Sequence, residues 1–224
     1  MRQLFFKLFA ITLKLCLLFS ITLANAEAAV SDITRIYHQT PTLEGFDVCF
    51  GGGCAEIKQV SLSPEEWRKV KAVFTDINNL QMSSEQERKK IANAIGVLET
   101  IVGLKIGTNK DIAGTFNNAS YPGQLDCNDE AINTTSYMRL MRENNLIKLH
   151  EIEDMRTRNF FFTGWPHTTA VMHETATGQR FAVDSWFYDN GIPATIVPFD
   201  LWKSGYIPVD SPLSHSHQVH QSSE

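Results

Sequence analysis

The chain has 224 residues, of which 43% are hydrophobic, 10% aromatic and 20% charged. That balance excludes a disordered chain, a collagen-like fibre and a disulfide-dense miniprotein, and it leaves enough apolar surface for one buried core. The formal charge is −5, from 20 basic against 25 acidic residues, with no basic block, so the concentrated positive surface that nucleic acid requires is missing.

The opening residues read as an address. Arg2, Lys7 and Lys14 make a basic start around the apolar stretches 4–9 and 11–23, and Ala24-Asn25-Ala26 is the small-x-small pattern that a signal peptidase cuts. The prediction is a signal peptide over 1–26 cleaved after Ala26, a single domain over 27–210 and a flexible polar tail over 211–224. An uncleaved N-terminal anchor is the alternative. Cleavage removes three positive charges and no negative ones, leaving a more acidic periplasmic or secreted protein with no further membrane span.

Export also changes the cysteine arithmetic. Cys16 departs with the signal, and Cys49 and Cys54 flank Phe50-Gly51-Gly52-Gly53, a turn able to bring two thiols together in an oxidising compartment. That pairing leaves Cys127 as an odd thiol.

Residues 30–60 show short apolar pieces and no helical period. Ser63-Pro64-Glu65-Glu66 is a capping box with a first-turn proline, followed by Trp67, Val70, Phe74 and Ile77 on one helical face. Ser84 with Glu87 opens a second helix of roughly 18 residues that ends near Gly103, with Ile91, Ala94, Ile95, Leu98, Ile101 and Val102 inward. Residues 103–125 are rich in Gly, Asn, Thr and Ser and read as a functional loop. The sequons at Asn118 and Asn133 matter only in a cell that glycosylates them. A third helix runs from Cys127 to about Asn145, with Ala131, Thr135, Met138 and Leu140 or Met141 inward. Strands follow over 146–152, 160–162, 168–172 and 181–187, and Thr175-Ala176-Thr177-Gly178 turns one hairpin. His215, His217 and His220 in the tail read as surface residues.

Three residues carry a chemical pattern. Cys127 stands where a loop meets a helix start, and the unpaired N–H groups there favour a thiolate nucleophile, although Asp126, Asp129 and Glu130 oppose ionisation. A cationic partner is therefore required. His167, after Gly164-Trp165-Pro166 and at a strand entrance, is suited to take the thiol proton and return it to a leaving group. A turn centred between Thr175 and Ala176 places His167 opposite Asp184, which would orient the imidazole. A two-residue turn at Thr177-Gly178 places it near Tyr188 instead, with Asp189 as the nearest carboxylate. The apolar run Phe181-Ala182-Val183 favours Asp184, and Asp189 reads as turn chemistry. His173 shares the strand face with His167 and is the competing base. For the developing oxyanion the candidates are the Cys127 N–H and the Gln124 side-chain amide. Trp165 and Trp186 are candidates to wall the cleft.

A cysteine opening a helix, a histidine opening a strand and an aspartate ending the next strand together resemble the transglutaminase-like, papain-type core. The exported setting and Asp126-Cys127-Asn128-Asp129 look most like the bacterial transglutaminase-like cysteine peptidases, over about residues 123–187. The resemblance implies an α+β fold with a helical N-terminal part and a nucleophile helix packed on an antiparallel sheet. It makes Cys127 the nucleophile, His167 the base and acid, and Asp184 the orienter, with no cofactor required. It also raises calcium near Asp126 and Asp129, although Asn128 stands where a carboxylate is usual, and helix capping accounts for the acids without a metal. The expected substrate is a protein or peptide of the cell envelope. The alternatives are a transglutaminase-type acyl transferase with the same triad, a non-catalytic protein-binding module on the same fold, and a metal site built from Cys127, His167 and His173.

Overall fold

In the computed structural model the described residues are 36, 39–75, 82–116, 122–158 and 166–214. The signal segment, Ile77, the Asn118 sequon, the 160–162 strand, Trp165 and the three tail histidines lie outside them. Residues 1–39 form a unit of their own, and residues 40–224 form a second that carries both sheets and the long helices.

The architecture is α+β, with helices and two antiparallel sheets. The N-terminal part is not purely helical: it opens with a hairpin of β1 (Phe46–Phe50) and β2 (Glu56–Val60), and the Cys49–Cys54 disulfide lies across its turn. Helix α1 (Pro64–Phe74) begins at the expected cap, where Ser63 and Glu66 exchange bonds of 3.3 and 2.8 Å and Trp67 and Val70 turn inward.

Helix α2 (Ser84–Ile106) departs from expectation at both ends. Its cap is Ser83 paired with Gln86, not Ser84 with Glu87, and it runs through Gly103 to a left-handed Gly107. Glu87 is fully buried instead, and its carboxylate accepts from the N–H groups of Lys148 and Leu149 at 2.7 and 2.9 Å and bonds His150 Nδ1 at 2.7 Å. This clamp holds residues 147–149 out of the sheet, so the strand expected from Leu146 begins later.

Helix α3 (Cys127–Glu143) starts where predicted, with Ala131, Thr135, Met138, Leu140 and Met141 all buried. Asn133 is buried too and bonds the Cys49 backbone through both its amide atoms, so the folded chain cannot present it for glycosylation.

The second sheet has the order β3 (His150–Arg158), β4 (His167–Glu174), β5 (Arg180–Asp184) and β6 (Thr195–Pro198), all antiparallel. Helix α4 (Phe199–Lys203) follows. One face of β4 and β5 carries Ala170, Met172, Phe181 and Val183 into the main core with Ile91, Ile95, Leu98 and Met138. The opposite face carries Ala182 into a smaller cluster with Cys127, Trp186, Phe187 and Trp202. The expected tail is ordered at its start: Ser211 is buried and its hydroxyl donates to the Phe187 carbonyl at 2.7 Å.

Gly96 fixes how the 189–192 turn seats on α2. A Cβ there would lie 2.7 Å from the Gly191 carbonyl oxygen, which is backbone and cannot swing aside. Gly96→Ala is therefore expected to lower stability by about 1–3 kcal/mol from overpacking, despite alanine's better helix propensity. Urea denaturation measures this directly, and an unchanged or raised midpoint would show that the turn moves freely.

Candidate active site

The start of α3 is held from two sides. Asp126 is its N-cap, and one carboxylate oxygen accepts from the N–H groups of Asn128 and Asp129 at 2.9 and 3.0 Å. The other anchor is the disulfide turn. Gly51, Gly52, Gly53 and Cys54 have φ of 84°, 87°, 60° and 59°, a left-handed run that the three glycines adopt at no steric cost and that aims successive N–H groups into one concavity. Those groups bind the same acids: Gly52 N and Cys54 N donate to Asp129 at 2.7 and 2.5 Å, and Gly53 N donates to Asp126 at 2.8 Å. The glycine turn and the acids beside Cys127 are thus two halves of one clamp.

His167 and Asp184 come together. Nε2 of His167 lies 2.6 Å from Oδ2 of Asp184, and both side chains are buried. The route differs from the expected direct pairing. Loop Thr175–Gly178 is closed by Glu174 N donating to Gln179 O and Gly178 N donating to Glu174 O, with Gly178 left-handed. The ladder therefore pairs Ala170 with Val183 and His173 with Arg180. Continued, that register sets position 167 opposite 186, and Asp184 reaches the imidazole diagonally. The two-residue offset keeps both on one face because the side-chain period is two.

Trp202 completes the pair, although nothing in the sequence marks it. Its indole N–H donates 2.7 Å to the same Asp184 oxygen, and the rings of Trp186, Phe187 and Trp202 lie 4.5, 5.5 and 5.7 Å from the imidazole. With Asp184 ionised, Nε2 carries the shared proton and Nδ1 is the basic nitrogen. Nδ1 is buried and has no hydrogen-bond partner.

Cys127 sits in the same cluster, 5% exposed, with Trp186, Phe187 and Trp202. The N–H of Thr168, the residue after His167, lies close enough to the sulfur to favour its ionised form, so the thiol stands near the strand entrance. The expectation that the helix start favours a thiolate meets a larger opposing effect. Burial pushes the Cys127 thiol up to about 11; the Thr168 N–H works against this, while Asp126 and Asp184 add to it. The resting site therefore holds a neutral thiol.

Gln124 serves as a loop anchor rather than presenting a free amide. Its oxygen accepts from Ile112 N and Thr115 Oγ1, both at 3.1 Å, and its nitrogen donates to the Lys110 carbonyl at 2.9 Å. Asp189 accepts from Ala113 N at 2.9 Å and ties its own turn to that loop. His173 is partly exposed and bonds Glu153 at 3.1 Å, away from the thiol cluster.

The acids beside Cys127 do not fit a calcium ion. Counting the 3.2 Å bond from Asp126 N, six backbone N–H groups point at the carboxylates of Asp126 and Asp129. Their inward dipoles favour negative charge and repel a cation. Among the described residues no cluster of three or more His, Cys, Asp and Glu is placed to hold a metal ion.

No protein-family model, curated protein or solved structure matches this chain.

Proposed function

We propose that the chain is an exported thiol hydrolase, a cysteine peptidase or amidase working through Cys127, His167 and Asp184, on a core of the transglutaminase-like, papain-type class. The observation that carries this reading is the buried His167–Asp184 bond of 2.6 Å with Nδ1 left unpartnered and Cys127 packed in the same cluster of Trp186, Phe187 and Trp202 that surrounds the imidazole. The Cys49–Cys54 disulfide suits an oxidising compartment, and no helix of the described residues is long and apolar enough to cross a membrane.

In this mechanism His167 Nδ1 removes the Cys127 proton as the sulfur attacks the substrate carbonyl. The C–S bond forms, the C–N bond breaks, and the departing amine takes the proton from Nδ1. Water, activated by the same nitrogen, then attacks the thioester; the acid leaves and the thiol is restored. An amine in place of water would give acyl transfer with the same residues. Because burial holds the thiol near 11, the proton moves during attack rather than in a preformed ion pair.

One observation favours a second reading, a non-catalytic protein-binding module: the thiol is only 5% exposed. Labelling by iodoacetamide against pH separates the two. An enzyme is expected to label at neutral pH at least about tenfold faster than its His167→Ala variant. Equal and slow labelling of both, with no acyl-thioester on Cys127 after incubation with activated peptide esters, would leave the binding module.

A further inference from the structure

Arg158 ends β3 and is 6% exposed, an unusual place for a guanidinium. Its position depends on an irregularity. Between Glu153 and Arg156 the β3–β4 register slips by one residue, and after the slip Arg158 pairs with His167. Without that bulge Thr157 would stand opposite His167, and Arg158 would turn to the other face. The extra residue therefore puts a cation on the imidazole's own face of the sheet.

Arg158 is held but not neutralised. Nη1 donates to the carbonyls of Trp202 at 2.7 Å and Tyr206 at 3.2 Å, and the guanidinium lies 5.0 Å from the Trp202 ring centroid. Nε is buried with no hydrogen-bond partner. Burial lowers the pKa of the group, while the negative charges of Asp184 and of ionised Cys127 raise it again. These are the two groups whose charge the proposed reaction needs.

We propose that Arg158 is a positioning residue of this site, fixing Trp202 and through it the Asp184–His167 pair, and supplying the positive potential that stabilises a thiolate at Cys127. The inference rests on the triad reading. It accounts for three features together: the bulge, the unpartnered Nε–H, and the absence of an ion pair at Arg158 among the described residues. A buried cation that makes no ion pair among the described residues is stabilised when a nearby thiol ionises, so Arg158 opposes the effect of burial on Cys127.

The test uses the full chain and iodoacetamide labelling of Cys127 across the neutral and alkaline range. Arg158→Gln is expected to raise the labelling midpoint by about one pH unit or more, and Arg158→Lys to restore at least half of that shift. A purely structural role would make both variants lose thermal stability without this split. If His167→Ala slows labelling but Arg158→Gln leaves the midpoint unchanged, the inference is wrong and the triad reading survives. If His167→Ala also changes nothing, the triad reading fails first. Should Arg158→Gln not fold, the unmodified protein decides. Its Arg158 Nε–H resonance is expected to shift as Cys127 titrates and to stay fixed in Cys127→Ser; a resonance indifferent to the thiol overturns the proposal.

Discussion

Asp184→Asn is expected to lower peptide or ester hydrolysis by about 10³–10⁴-fold while the protein stays folded, the scale seen when the orienting acid of a triad becomes an amide. Two N–H groups converge on one oxygen of Asp184, from His167 at 2.6 Å and from Trp202 at 2.7 Å. An asparagine with its amide oxygen at that point keeps both bonds but has no negative charge to stabilise the imidazolium formed as Nδ1 takes the thiol proton. With its NH₂ there instead, it meets the Trp202 N–H donor to donor and forces His167 to carry its proton on Nδ1, the nitrogen the mechanism needs as a base. The same substitution should flatten the neutral limb of the Cys127 labelling profile. Trp202→Phe is the milder companion, since it removes one donor from Asp184 and leaves the tautomer intact. Hydrolysis by Asp184→Asn within tenfold of the unmodified protein would mean that Asp184 is a buried structural acid.

What was legible in the sequence is what is local in the chain. The cap at Ser63, the start of α3 at Cys127 and the inward faces of all three long helices depend on residues within one or two turns, and the sequence displays them. The pairing of His167 with Asp184 was legible as a shared face, because alternation survives an even offset. Its register was not, since a four-residue loop closed by a left-handed Gly178 differs from a tighter turn only in backbone geometry. Glu87 was misplaced for a different reason. It sits where a capping residue belongs, and only the distant 148–150 backbone draws it inward. The site's supports lie at the same level. Asp129 meets Gly52 across 77 residues and Trp202 meets Asp184 across 18, so no periodicity announces them. The odd cysteine count did identify Cys127 as the free thiol once Cys49 and Cys54 paired.

Stability is expected to fall as pH rises from about 4 to about 8, the reverse of ordinary acid denaturation over that range. The cause is a chain of buried acids behind α3. Burial pushes Glu99 up to about 8, Asp111 up to about 7 and Asp129 up to about 6, and raises Glu130 well above the usual carboxylate range. Ser185, next to Asp184, donates to Glu130 at 2.5 Å and meets Thr134 at 3.1 Å, while Asp111 accepts from Leu125 N at 2.7 Å. Each of these acids has a folded pKa above its unfolded one, so the folded state binds more protons through that window. The associated stability is fully present below the unfolded values and is lost as pH climbs through the folded ones. The acids with lowered pKa work the other way, but Glu66, Glu85 and Glu174 are paired near the surface and act below the ordinary carboxylate range, where such pairs contribute little. Glu99 is the clearest lever, because one of its oxygens accepts from Gly191 N at 3.0 Å and the other is buried without a partner, beside a small cavity also lined by Glu130, Asn133 and Asn190. Glu99→Gln keeps an acceptor for Gly191 and removes the charge that burial disfavours. Thermal unfolding should show a Tm higher at pH 5.5 than at pH 8.5 in the unmodified protein, with Glu99→Gln raising the alkaline value and narrowing the gap. A Tm that rises steadily with pH, unchanged by Glu99→Gln, would mean that these carboxyls stay ionised and that water or a counter-ion solvates them in the folded protein.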